Sequence, residues 1–139
     1  MEVKDYLERP TKLYRNIKRN EECVAYWHRK ASTVSATPFD KEKVSSSRST
    51  SAPFVSAVEK AVDLERIIQR QYGELAELKA EVSATIGLLE DPMMQLILLC
   101  RYIQMMPWDD VMAELSLPRN TMFRFHRLAL EKLQEEMVQ

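Results

Sequence analysis

The apolar positions of this chain fall into three patterns, and each predicts a different kind of helix. From Thr11 to Ala31, Leu13, Ile17, Val24 and Trp27 mark one seam, with Asn20 as its polar member. That spacing is one face of an amphipathic helix. Pro10 is expected to open it and Thr11 to cap it, since a proline's missing N–H costs nothing in a first turn. From Ala57 to about Leu89 the period lengthens. With Ala61 at position a, the seam reads Ala61, Leu64, Ile68, Gln71, Leu75, Leu78, Val82, Thr85 and Leu89, seven apolar out of nine. A seven-residue period sustained this long is the mark of a coiled coil. The same frame turns Gly73 and Gly87 toward solvent, and the helix is expected to end at Glu90-Asp91-Pro92. Its stripe exceeds what the shorter first helix can cover, so a homodimer through residues 57–90 is expected.

Beyond Pro92 the pattern changes again. Met93 to Met105 is nearly all apolar, which predicts a supporting helix buried on most sides. Trp108, Val111, Met112 and Leu115 then form one face of a short helix, Ser116-Leu117-Pro118 makes a tight turn, and a second helix begins at Arg119. That helix carries Met122, Phe125, Ala129 and Leu133 on one side and Arg119, Asn120, Phe123, Arg124 and Arg127 on the other. Gln134 to Gln139 is expected to fray. A short helix, a tight turn and an amphipathic helix with an Arg/Asn-rich outer face have the form of a DNA-reading helix-turn-helix.

Between the first two helices, residues 32–56 are rich in Ser and Thr, with two prolines and no helical period. This composition predicts a flexible linker, its ends tacked down by Phe39, Phe54 and Val55. The expected fold is therefore all-α: a helix in 1–31, a linker in 32–56, a long coiled-coil-like helix in 57–90 and a helix-turn-helix unit in 91–139. Together the first three form a long helical hairpin ahead of the C-terminal unit.

The segments RY-I, DDVMAEL, SL and LALEKL carry a family likeness. In this spacing they resemble region 4 of bacterial sigma factors, and more closely the small phage and prophage transcriptional regulators of ArpU/RinA type. The resemblance spans Asp91 to Leu133 and extends more weakly to VSSSRSTSAPFVSAVEKAVDLE. It implies a sigma-like DNA-binding unit and contact with RNA polymerase as a further partner. Those families usually have glycine where Met105 and Ser116 stand and a Ser/Thr cap where Pro107 stands. Glycine makes a left-handed turn cheap, and a Cβ makes it costly, so differently shaped turns are expected here.

Composition narrows the reading. The chain has 139 residues, 45% of them hydrophobic and two of them glycine, which suits a helical globular protein. No apolar run is long enough for a membrane span and the start MEVKDYLERP is no signal peptide, so a cytoplasmic location is expected. Cys23 and Cys100 lie far apart and read as small buried hydrophobes; with His28 and His126 isolated, no metal or cofactor is expected. The methionines concentrated after Pro92 read as a plastic core.

Net charge is −1, with net +3 in residues 1–30, +1 in 31–58, −4 in 59–91 and −1 in 92–139. A DNA-binding field must therefore be local, from Arg119, Arg124, Arg127 and Lys132. Lys12, Arg15, Lys18 and Arg19 also fall off the first helix's seam, where a solvated face is the plainer reading and phosphate contact the functional one. Trp108 reads as core and His126 as packed or half-exposed. Asp109 and Asp110 suit the positive end of a helix dipole and have no catalytic partner nearby.

The expected function is a non-enzymatic, sequence-specific transcriptional regulator of double-stranded DNA, phage or prophage encoded on the resemblance. Arg119, Asn120 and Arg124 would meet base edges, Thr121 and Arg127 phosphates, with Phe123 on the same outer side. The alternatives are a small-terminase-like DNA-packaging adaptor and a sigma-like interaction module that does not bind DNA.

Overall fold

The computed structural model of the protein describes residues 1–36 and 44–138. Among these residues there is no strand: the order is α1 (Val3–Ala36), α2 (Val44–Ile86), α3 (Pro92–Leu98), a π-helical segment (Leu99–Ile103), α4 (Trp108–Leu115) and α5 (Arg119–Val138). The chain is all-α. No described helix is long and apolar enough to cross a membrane. Two compact units are distinguished, Met1–Tyr14 with Glu74–Gln139, and Arg15–Gly73.

In the unit of Arg15–Gly73, α1 and α2 pair along the expected seams. Ile17, Ala31, Ala57, Ala61 and Ile68 are buried. The two polar seam members meet, Asn20 Nδ2 donating to Gln71 Oε1 at 2.9 Å. One residue along, Tyr72 OH donates to the Glu21 carboxylate at 2.8 Å, which holds Glu21 below the usual carboxylate range. Lys60 Nζ lies 4.4 Å from the centre of the Trp27 ring. Gly73 faces open space.

The other unit joins the first turns of α1 to the end of α2 and everything after it. Val3 and Leu7 share one apolar cluster with Val82, Ile86, Leu89, Leu98, Tyr102, Ala129 and Leu133. The Val3 N–H donates to Gln134 Oε1 at 3.0 Å, and the Tyr6 and Thr85 hydroxyls pair at 2.8 Å. A second cluster gathers Ile97, Cys100, Val111 and Met122, with Trp108, Met112, Leu115, Leu117, Phe123 and Phe125 packed against it. These are the faces expected for α4 and α5, except that Phe123, expected on the outer side of α5, packs against the cluster.

Several boundaries differ from the expectation. Pro10 does not open α1; it lies inside the helix, and its Cδ deprives the Tyr6 carbonyl of the i+4 donor. Arg9 Nε donates to that carbonyl at 3.2 Å while its guanidinium stacks on the Tyr6 ring, 4.2 Å from the centroid, and pairs with Glu81. A local substitute donor and the burial of Val3 and Leu7 thus carry the helix through the proline. The expected linker of residues 32–56 is shorter as well: α1 continues to Ala36 and α2 begins at Val44, leaving 37–43, with Phe39, outside the described residues. Ser and Thr cost a helix only about 0.5 kcal/mol each relative to Ala, so their abundance does not by itself stop one. Phe54 and Val55 are exposed, not tacked down.

At the other end α2 stops at Ile86, so Gly87 follows the helix instead of sitting within it. The supporting helix is also two elements, α3 and the π-helical segment. Asp91 caps α3 by accepting from Met93 N–H at 2.8 Å and Met94 N–H at 3.4 Å, with Pro92 in the tolerated first position. Cys100 is buried as expected, but Cys23 is exposed. The expected fraying of 134–139 is not seen up to Val138.

Candidate nucleic-acid interface

The segment from Leu99 to Arg124 sets a short helix, a tight turn and the start of α5 in place through three local devices. First, the π-helical segment closes with Gln104 N–H on Leu99 carbonyl at 3.0 Å, and Met106 N–H reaches back to Cys100 carbonyl at 3.0 Å. This wider turn sends Tyr102 into one cluster and Cys100 into the other. Arg101 Nη1 donates to the Met106 carbonyl at 3.0 Å and its guanidinium lies 4.5 Å from the centre of the Trp108 ring. Second, α4 starts at Pro107 with no side-chain cap, and Asp109 and Asp110 in its first turn complement the dipole. Third, α4 ends in a Schellman turn: Leu117 N–H bonds Met112 carbonyl at 3.1 Å and Ser116 N–H bonds Ala113 carbonyl at 3.4 Å.

Both positions where the resembling families carry glycine are left-handed, Met105 at φ 58° and Ser116 at φ 53°. The expectation of differently shaped turns is thereby corrected. The Cβ raises the cost of each turn without changing its hand.

His126 joins α5 to the preceding elements. Its Nε2 lies 2.8 Å from Tyr102 OH, its ring stacks on Tyr102 at 5.9 Å, and Trp108 meets it edge-on at 4.8 Å. Burial pushes the Tyr102 phenol up to about 12, so it keeps its proton and donates. Burial, with Lys4 and Arg101 nearby, pushes His126 down to about 4, so the imidazole is neutral and Nε2 accepts. Burial, then Glu114, raises the Cys100 thiol, which makes it a poor nucleophile.

The sequence-predicted site residues divide on this scaffold. Arg119, Asn120, Arg124 and Arg127 are exposed, and Thr121 is half-buried. Asn120, Arg124 and Arg127, spaced four and three apart, share one face of α5, while Met122, Ala129 and Leu133 bury the opposite one. Arg127 Nε stands 4.0 Å from Glu131 Oε1, both side chains well exposed. Phe123 is different: half-buried, it packs 5.0 Å from the Trp108 ring, and Arg119 lies 5.1 Å from its ring centre. Its part is to hold Trp108 and Arg119. Sequence reasoning placed Arg101 in the likeness but missed its two contacts, which depend on a left-handed turn that no helical periodicity announces.

No curated protein and no solved structure matches the chain. A family model described as "Protein of unknown function (DUF1492)" matches residues 34–134, from the end of α1 through most of α5. The chain belongs to that family.

Proposed function

We propose that the protein is a sequence-specific, double-stranded-DNA-binding regulator of transcription that lays α5 in the major groove. The observation that carries this reading is the face of Asn120, Arg124 and Arg127 on a helix whose other side is pinned by two apolar clusters and a Schellman turn. Asn pairs bidentately with adenine and Arg with guanine, while Arg127, further along a straight helix, suits phosphate. Trading the exposed Glu131 for a phosphate costs Arg127 little, because exposed pairs are worth about 0–1 kcal/mol. The likeness to sigma region 4 and to phage regulators of ArpU/RinA type supports the same reading and adds RNA polymerase as a second partner. No catalytic role is proposed.

Arg124→Ala and Arg127→Ala test it on a site recovered by binding selection. Loss of Arg124 should cost ~1–3 kcal/mol and relax preference at one base pair. Loss of Arg127 should weaken binding to all sequences alike and lower the salt slope by about one unit. With wild-type helicity and melting preserved, no effect from either variant overturns the reading and leaves a protein-interaction module. Assembly into a ring of many copies would instead favour a DNA-packaging adaptor.

A further inference from the structure

The charge of the chain is divided unevenly between its two units. Arg15–Gly73 holds eleven Lys/Arg against seven Asp/Glu, net +4, whereas the unit bearing α4 and α5 holds nine against fourteen, net −5. Within the positive unit the cations concentrate on the outer side of α1. Arg15, Lys18, Arg19, Arg29 and Lys30 are all exposed there, opposite the seam of Ile17, Val24 and Ala31. Glu22 is the acid among them, and Tyr26 lies in the same stripe, 46% exposed, its ring edge-to-face with Trp27 at 4.9 Å. Lys18 pairs with Glu21 at 3.0 Å. Among the described residues no ion pair engages Arg15, Arg19, Arg29 or Lys30.

A merely solvated helix face is usually stabilised by alternating signs three or four residues apart. Here Arg15 stands four residues from Arg19 and three from Lys18, spacings at which like charges oppose the helix. Lys18 is offset by Glu21, and Glu22 stands three residues from Arg19; at Arg15 the repulsion has no such offset, and an anionic partner would relieve it. From Arg15 to Lys30 it runs ~22 Å along a straight helix, with its cations in two clusters, Arg15 to Arg19 and Arg29 to Lys30, about 15 Å apart. A duplex presents a phosphate charge every ~1.7 Å of axis, dense enough to meet both clusters. A bilayer would call for apolar side chains to insert beside the cations, and Tyr26 is the stripe's sole aromatic or aliphatic member.

We infer that the outer face of α1 bearing Arg15, Arg19, Arg29 and Lys30 binds the phosphate backbone of double-stranded DNA without regard to sequence, independently of the face on α5. The full-length chain and a variant combining Arg15→Gln, Arg19→Gln, Arg29→Gln and Lys30→Gln are compared by anisotropy on a labelled duplex of mixed sequence over a salt series. Glutamine keeps helix propensity, and matched circular dichroism and melting confirm the fold. The variant should bind at least tenfold more weakly at low salt and lower the slope of log K against log salt by roughly 2–4, at about 0.9 per phosphate released. An unchanged slope in the fourfold variant overturns the inference. So does tighter binding of the wild type to phosphatidylglycerol vesicles or to polyglutamate than to the duplex, which would make the face a membrane or acidic-protein site. If the fourfold variant loses mixed-sequence binding while the α5 variants never alter sequence preference, the α1 face stands and the recognition role of α5 falls.

Discussion

Met105 and Ser116 hold left-handed backbone with side chains attached. For an L-residue other than glycine, that conformation costs roughly 1–2 kcal/mol. Part of the cost would return as unfolded-chain entropy on replacement by glycine, so Ser116→Gly should stabilise by about 0.5–1 kcal/mol and raise the melting temperature. Ser116→Val should lower stability by more than that, because a β-branched side chain tolerates the conformation worst. If urea denaturation ranks Gly below Ser, the left-handed turn is not where strain resides. Met105→Gly should gain less, since the half-buried Met105 side chain also gives up packing. His126 supplies a second residue-level expectation. Its folded pKa of about 4 lies below the ordinary histidine value of 6.5. Between those two values the unfolded chain takes a proton that the folded one refuses, so stability is full above about 6.5 and falls as pH drops toward 4. A fully buried group would contribute ~1.4 kcal/mol per unit across that window; partial exposure reduces it. Lys4 from α1 and Arg101 from the π-helical segment face the imidazole and oppose its charging, while Tyr102 holds it as an acceptor. His126→Gln should flatten the melting-temperature profile between pH 4 and 6.5, and an unchanged slope would show that other groups govern it.

At the scale of elements, the seams were legible because their periodicity is local. Asn20 and Gln71 each interrupt an apolar series, and the structure pairs those interruptions. Such a polar pair fixes register at a cost in stability. Asn20→Leu with Gln71→Leu should therefore stabilise by about 1–2 kcal/mol through added apolar burial, and by more than the two single changes summed, because each single change strands one amide. A double-mutant cycle in urea reads this coupling; a double variant less stable than wild type would make the hydrogen bond a net stabiliser. The boundaries Trp108, Leu115 and Arg119 were legible for a related reason, apolar spacing closed off by Pro107 and Pro118. What could not be read is what distant residues decide. The start of α1 depends on Val3 and Leu7 reaching a cluster with Val82, Ile86 and Leu133, and on Arg9 substituting for the donor that Pro10 lacks. Nothing within the first ten residues reveals either partner. The same holds for the π-helical segment, whose widened turn serves to split Cys100 and Tyr102 between two clusters.

For the whole molecule, the extent of α1 changes the expected assembly. The expectation of a dimer rested on a first helix confined to residues 11–31, too short to cover the stripe from Ala61 to Leu89. α1 instead runs Val3–Ala36, and every position of that stripe is buried or half-buried within a single chain. Leu75 is 5% exposed and Val82 fully buried without a second copy. We therefore predict a monomer at micromolar concentration, with a melting temperature independent of protein concentration. Leu75→Lys would then place an unpaired charge in the seam of one chain, and it should unfold the protein at every concentration rather than convert a folded dimer into folded monomers. Assembly state also bears on the DNA site. Paired helix-turn-helix units demand two-fold related half-sites about one helical turn apart, whereas a single copy of α5, binding DNA as proposed, would reach one stretch of major groove. A selected binding site should accordingly lack palindromy, and its footprint should not repeat at one-turn spacing. Sedimentation equilibrium checks the first expectation and footprinting the second. A folded dimer at micromolar concentration that Leu75→Lys converts to a folded monomer would return the stripe to an intermolecular role, and a palindromic site would then follow from it.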